Sequence, residues 1–128
     1  MNDNYTQSNS EVFITGLDRE LSIYSIPYHI ECFSKLVFDL SKQPEKEWID
    51  VYLNEAKKYR TKGIREKFSF EGTKLTISDA EVNISDLQDY IDDLKNSINI
   101  ANELIKSKIE RDQRRINDFN STLDDLCF

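Results

Sequence analysis

The chain predicts an α+β fold: an antiparallel sheet of about five strands, in the order β-β-β-α-β-β-α, with two helices on one face. Three observations carry this. Apolar and polar residues alternate in several short runs bounded by turn residues. Two longer stretches repeat their apolar residues at three- and four-residue spacing. The final stretch, Ser85 to Phe128, contains neither Gly nor Pro.

Size and charge narrow the classes. With 128 residues the chain has the length of one domain and buries a core without disulfide or metal staples. The 38% hydrophobic content, rich in Phe, Tyr, Ile and Leu, argues against global disorder. Against 24 acids there are 17 Lys and Arg, so the net charge is −7. A phosphate backbone needs a basic surface, so nucleic acid is disfavoured as a partner and a basic protein is favoured. Cys32 and Cys127 stand in no ligand spacing, which fits a reducing cytoplasm. Residues 1–10 are polar and read as a disordered tail rather than a signal peptide. No run approaches the roughly 20 apolar residues of a membrane span. The chain then divides into this tail, an α+β domain over 11–105, and a helical extension over 106–128 that packs back or oligomerises.

Val12, Phe13 and Ile14, then Leu17, Leu21 and Ile23, predict two short strands joined in a hairpin by a turn at Asp18 to Glu20. Pro27 belongs at a strand junction or edge. Tyr28, Ile30, Cys32, Leu36, Phe38 and Leu40 are all even-numbered, with His29, Glu31, Lys35 and Asp39 on the other face. That alternation is a half-buried antiparallel strand, with a bulge where Phe33 and Ser34 break the pattern.

Pro44 suits the first turn of a helix, and Glu45 and Glu47 suit its positive end. Trp48, Ile49, Tyr52, Leu53, Ala56 and Tyr59 form its apolar stripe, and Gly63 is its stop. A second hairpin follows. Ile64, Phe68 and Phe70 precede Glu71-Gly72-Thr73, and Leu75 and Ile77 come after it.

Ser85 and Gln88 form a capping-box signature at the start of the last helix. Leu87, Ile91, Leu94, Ile98, Ala101 and Ile105 make a seam. Beyond it the phase slips, and Ile109, Ile116, Phe119, Leu123 and Leu126 form a second stripe with Asp112 in a seam position. A helix of about 40 residues is about 60 Å long. A globule of this size is only roughly 36 Å across. The helix is therefore very long and projecting, or broken near residues 106–120. The expected core draws on Ile14, Leu21, Ile23, Ile30, Leu36, Phe38, Trp48, Tyr52, Phe68, Leu75 and Ile77, with Leu87, Ile91, Leu94 and Ile98 from the long helix.

Candidate chemistry is sparse. His29 and Cys32 are three apart on a strand, so their side chains point to opposite faces and read as ordinary strand positions. Asp79, Glu81, Asp86, Asp89, Asp92 and Asp93 form an acidic run. It lacks the spaced ligands and the glycine of a calcium loop. It reads as a helix-start preference or as a surface for a basic protein partner. Lys57, Lys58, Arg60, Lys62, Arg65 and Lys67 are its basic counterpart, read as a solvated helix end and hairpin edge. With three glycines and no phosphate-loop or nucleophile-elbow motif, no catalytic residue, metal or cofactor is predicted.

The expectation is a non-enzymatic, small, acidic cytoplasmic protein that acts by protein–protein binding, of the immunity, inhibitor or adaptor type. Its partner surface is the acidic run. The alternative is a structural homo-oligomer assembled through Ile109, Ile116, Phe119, Leu123 and Leu126. A third reading is an enzyme whose site is gathered only in three dimensions.

Overall fold

The architecture is an antiparallel sheet with two helices on one face. The computed structural model describes residues 11–25, 32–61 and 66–126. Residues 1–10, Ile26 to Glu31, the residues Lys62 to Arg65 and the pair Cys127 and Phe128 lie outside them, and so does any His29–Cys32 pairing. The strands are β1 (Ile14–Leu17), β2 (Ile23–Ser25), β3 (Cys32–Leu40), β4 (Lys67–Glu71) and β5 (Lys74–Asn83). The helices are α1 (Lys46–Asn54), continued by a 3₁₀ turn at Ala56–Tyr59, and α2 (Leu87–Asp124). The sheet runs β1-β3-β5-β4, with β2 also on β3.

β1 and β2 are not a hairpin, contrary to the sequence pattern. Both pair antiparallel with β3, one after the other along the same edge. The residues between them form a loop that leaves the strand and rejoins it. Asp18 holds the loop: its carboxylate accepts from the N–H groups of Glu20 and Leu21 at 3.1 Å, and its carbonyl accepts from Ser22 N–H at 3.1 Å. The ladder continues across the gap. Asp18 N–H donates to the Val37 carbonyl at 2.8 Å, and Val37 N–H donates to Ser22 Oγ at 3.0 Å. A serine hydroxyl thus stands in for a backbone carbonyl. Alternation with a turn residue in the middle describes an interrupted strand as well as it describes a hairpin. Leu21 and Ile23, expected in the core, are accordingly about half exposed.

The β4–β5 hairpin matches the pattern: Phe70 pairs with Leu75, Phe68 with Ile77, and Gly72 takes the positive φ of the tight turn. The expected bulge on β3 is present in the β2–β3 ladder: Tyr24 pairs with Phe33 and Ile23 with Lys35, so Ser34 is the extra residue. On the other edge, Phe33 pairs with Val82 and Lys35 with Ser78, so a short step on β3 faces a longer one on β5. Asp79, Ala80 and Glu81 there stand opposite Ser34 alone. Asp79 and Glu81 take φ of 58° and 47°, a left-handed conformation that costs a non-glycine residue about 1–3 kcal/mol.

Leu36, Phe38 and Leu40 of β3 and Leu75 and Ile77 of β5 form the core face of the sheet. Trp48, Tyr52 and Ala56 from the first helix and Tyr90, Leu94, Ile98, Ala101 and Ile105 from the second cover it. The Trp48 and Tyr52 rings stack at 5.6 Å, and Phe70 meets both edge-on. Pro44 is buried but lies just before the helical turn it was expected to open, since Glu45 is the N-cap of α1. The capping box does not form. A 3₁₀ turn at Ile84–Asp86 leads into α2, and Gln88 donates instead to Asp92 at 3.0 Å.

One polar side chain joins three parts of this body. Asn102, on the buried face of α2, accepts from Val12 N–H at 2.9 Å and from Trp48 Nε1 at 2.8 Å. Its amide donates to the Val12 carbonyl at 2.8 Å. It gives Val12 the two hydrogen bonds a neighbouring strand would supply. Nearby, Tyr52 and Ser97 hydroxyls share a bond of 2.8 Å. Ser97 and Asn102 were missed because the seam was read as apolar residues only. Their positions within a wide buried arc are the signal that locates them.

Candidate protein-binding surface

Five members of the acidic run are exposed and one, Asp93, is engaged with the body. Asp79 and Glu81 sit in the β5 bulge, where Lys67 lies 3.6 Å from Asp79 in a fully solvated pair. Asp86, Asp89 and Asp92 are exposed near the start of α2, where the helix dipole favours them. Asp93 turns the other way, into the body. Its carboxylate accepts from Arg60 Nε at 2.6 Å, Thr61 Oγ1 at 2.8 Å and Thr61 N–H at 3.1 Å. It therefore belongs to an internal cluster and is withdrawn from the proposed partner surface.

That cluster also removes Arg60 from the basic run. Its guanidinium reaches Glu66 through Nη2 at 3.2 Å, and Nη1 lies 2.9 Å from the same carboxylate. Nη1 is off the hydrogen-bond direction, so that contact is coulombic rather than a directed bond. Tyr90 donates to Glu66. The Arg60 and Glu66 side chains are each 4% exposed. The guanidinium also lies over the Tyr90 ring at 4.8 Å. Burial pushes the Glu66 carboxyl up despite the opposing pull of Tyr90 and Arg60. Burial likewise acts to raise Asp93, but the bonds from Arg60 and Thr61 outweigh it and hold Asp93 below its ordinary value. The arrangement ties the end of the first helical segment to β4 and α2. The sequence shows two charge runs of opposite sign but not which members cross between them.

Two shallow clefts flank α2, one lined by Phe13, Ile14, Lys95, Ile98 and Asn99, the other by Asn96, Asn99, Ile100, Glu103, Leu104 and Ser107. Among the described residues no three His, Cys, Asp or Glu side chains converge to hold a metal ion, and no helix is long and apolar enough to cross a membrane.

The second stripe has the clearest geometry. α2 is one unbroken helix of 38 residues, which at about 1.5 Å per residue is about 57 Å long. Its inner half packs on the sheet as far as Ile105, and Ile109 lies against the margin of the core. Lys108 makes the last ion pair to the body, with Glu47. From Glu110 every residue to Leu126 is exposed. Ile116 is 53% exposed, Phe119 63%, Leu123 48% and Leu126 51%. The apparent phase slip disappears on a straight helix. Ile98 and Ile116 are 18 residues apart, as are Ala101 and Phe119, and Ile105 and Leu123. At about 3.6 residues per turn that spacing is about five full turns. The exposed stripe therefore points the same way as the buried one.

Comparison with protein-family models, with curated proteins and with solved structures gave no match.

Proposed function

We propose that the protein acts without catalysis, by binding another protein through the outer half of α2. One observation carries the reading: three large apolar side chains, Ile116, Phe119 and Leu123, extend the buried face of the helix past the end of the body and are exposed, with Leu126 exposed just beyond the helix end. An isolated exposed Leu or Ile needs no explanation, but an aligned series on one helix face is the mark of a helix that docks. The acidic run supports the reading less well, because Asp93 is engaged internally. Immunity, inhibitor and adaptor proteins all work in this way, and a reducing cytoplasm suits the unpaired thiol of Cys32.

Site-specific photo-crosslinking in the native host tests this. A photoreactive side chain at position 119 is expected to give a discrete protein adduct. The same group at Arg114, on the opposite side of the helix, is expected to give none. Equal or absent labelling at the two positions would remove the reading.

A further inference from the structure

We infer that the occupant of the outer stripe is a second copy of this chain, with the two outer helices paired antiparallel. This rests on the reading above that the stripe is a docking surface.

Charge is the first argument. Over residues 106–115 there are five bases, Lys106, Lys108, Arg111, Arg114 and Arg115, against Glu110 and Asp112, a net of +3. Over residues 116–126 there are three acids, Asp118, Asp124 and Asp125, and no base, a net of −3. The segment is its own electrostatic complement when reversed. A parallel pair would set like against like along its whole length.

The helix terminus is the second argument. The last turn of α2 carries no basic residue, and Asp124 stands at the negative end of the dipole, where acids are disfavoured. An isolated helix gains nothing from that placement. Bases brought by an antiparallel neighbour, whose own dipole is opposed, compensate it.

Register follows from the stripe. Centred between Ile116 and Phe119, the pair sets Ile116 against the partner's Phe119 and Ile109 against the partner's Leu126. Asp112 then enters the seam, where a polar residue selects one register at a cost in stability. The chain's first ten residues are a poor alternative cover, since Met1 and Tyr5 are their only large apolar side chains.

Sedimentation velocity on the full chain across the micromolar range tests the pairing. The expected species has about twice the 15.1 kDa chain mass. Reversing Arg111 and Arg115 to Glu is expected to raise the dimer dissociation constant at least about tenfold. Adding Asp118→Lys, Asp124→Lys and Asp125→Lys to that chain is expected to restore association, because the complement is rebuilt with its signs exchanged. Trp48 fluorescence, from a ring inside the body, reports that each variant is folded. A monomer at the highest concentration, or dimers indifferent to the first reversal, would overturn the inference. A crosslink from position 119 to a different protein, with the chain itself monomeric, would overturn the self-pairing and leave the docking reading standing. No adduct and no dimer would remove both.

Discussion

The two halves of α2 carry the same kind of face and meet opposite surroundings. In the inner half, Leu94, Ile98, Ala101 and Ile105 are buried against the sheet and α1. In the outer half, Ile116, Phe119 and Leu123 point the same way and are about half or more exposed. The contrast teaches that amphipathic spacing reports a face to be covered and not what covers it. The halves also differ in polar content. Inside the body Ser97, Asn102 and Asp93 each have a named partner on another element. Beyond Lys108, the outer half carries local side-chain bonds, from Gln113 to Asn117 and from Thr122 to the Asp118 carbonyl.

The sharpest way to break this comparison is the same substitution at two sites that face one way. Ile98→Ala should cost about 2–5 kcal/mol, the lost transfer energy plus a cavity the packed neighbours cannot fill. Ile116→Ala should change the stability of the dilute monomer by less than about 0.5 kcal/mol. Urea unfolding of both variants decides it; equal losses would mean that the outer half is covered within the chain.

Next in size is Asn102→Ala. It strands the Val12 amide and carbonyl and the Trp48 indole N–H, and about 2–3 kcal/mol should be lost. Asn102→Asp should lose less at acid pH than at neutral pH, because only the protonated carboxyl can donate to the Val12 carbonyl. A pH-independent penalty in urea titrations would discount the donor role.

The smallest effect concerns Asp93. Its carboxyl is held below its ordinary value near 3.8, so the unfolded chain binds more protons than the folded one in the window just below that value. Its contribution is present above that window and is lost as pH falls through the folded value. Asp93→Asn should flatten the stability–pH curve there. Glu66, shifted up from near 4.5, acts with the opposite sign, its contribution declining as pH rises past that value. An acid limb unchanged by Asp93→Asn would show that Arg60 does not hold the carboxylate in solution.

Local chemistry explains how far the sequence could be read. The Gly72 turn, the β3 alternation and the α1 stripe are each set by neighbouring residues, and all three appear in the structure. The β1–β2 arrangement was misread because its deciding bonds run from Asp18 and Ser22 to Val37, across the sheet. The bulge at Phe33 and Ser34 is legible because it breaks the alternation of β3, and it appears against β2. The longer irregularity on β5 is not, because it is set by pairing across the sheet. Of the candidate site, the outer stripe was legible as a list of residues and as a length that no body of this size could cover. Its alignment with the inner face was not, because a heptad template scores a straight helix as out of phase. Val12 of the core went unassigned because its cover comes from Asn102.

The Asn102 contact closes a loop of 90 residues back to Val12. At about 5–20 residues per second, a ribosome finishes that interval about 5–18 s after making Val12. Through that time the edge strand and the Trp48 indole have no partner on α2, and the apolar face of the sheet waits for its lid. The body closes only once Asn102 has been made, and the segment made directly afterwards is the outer half of the helix.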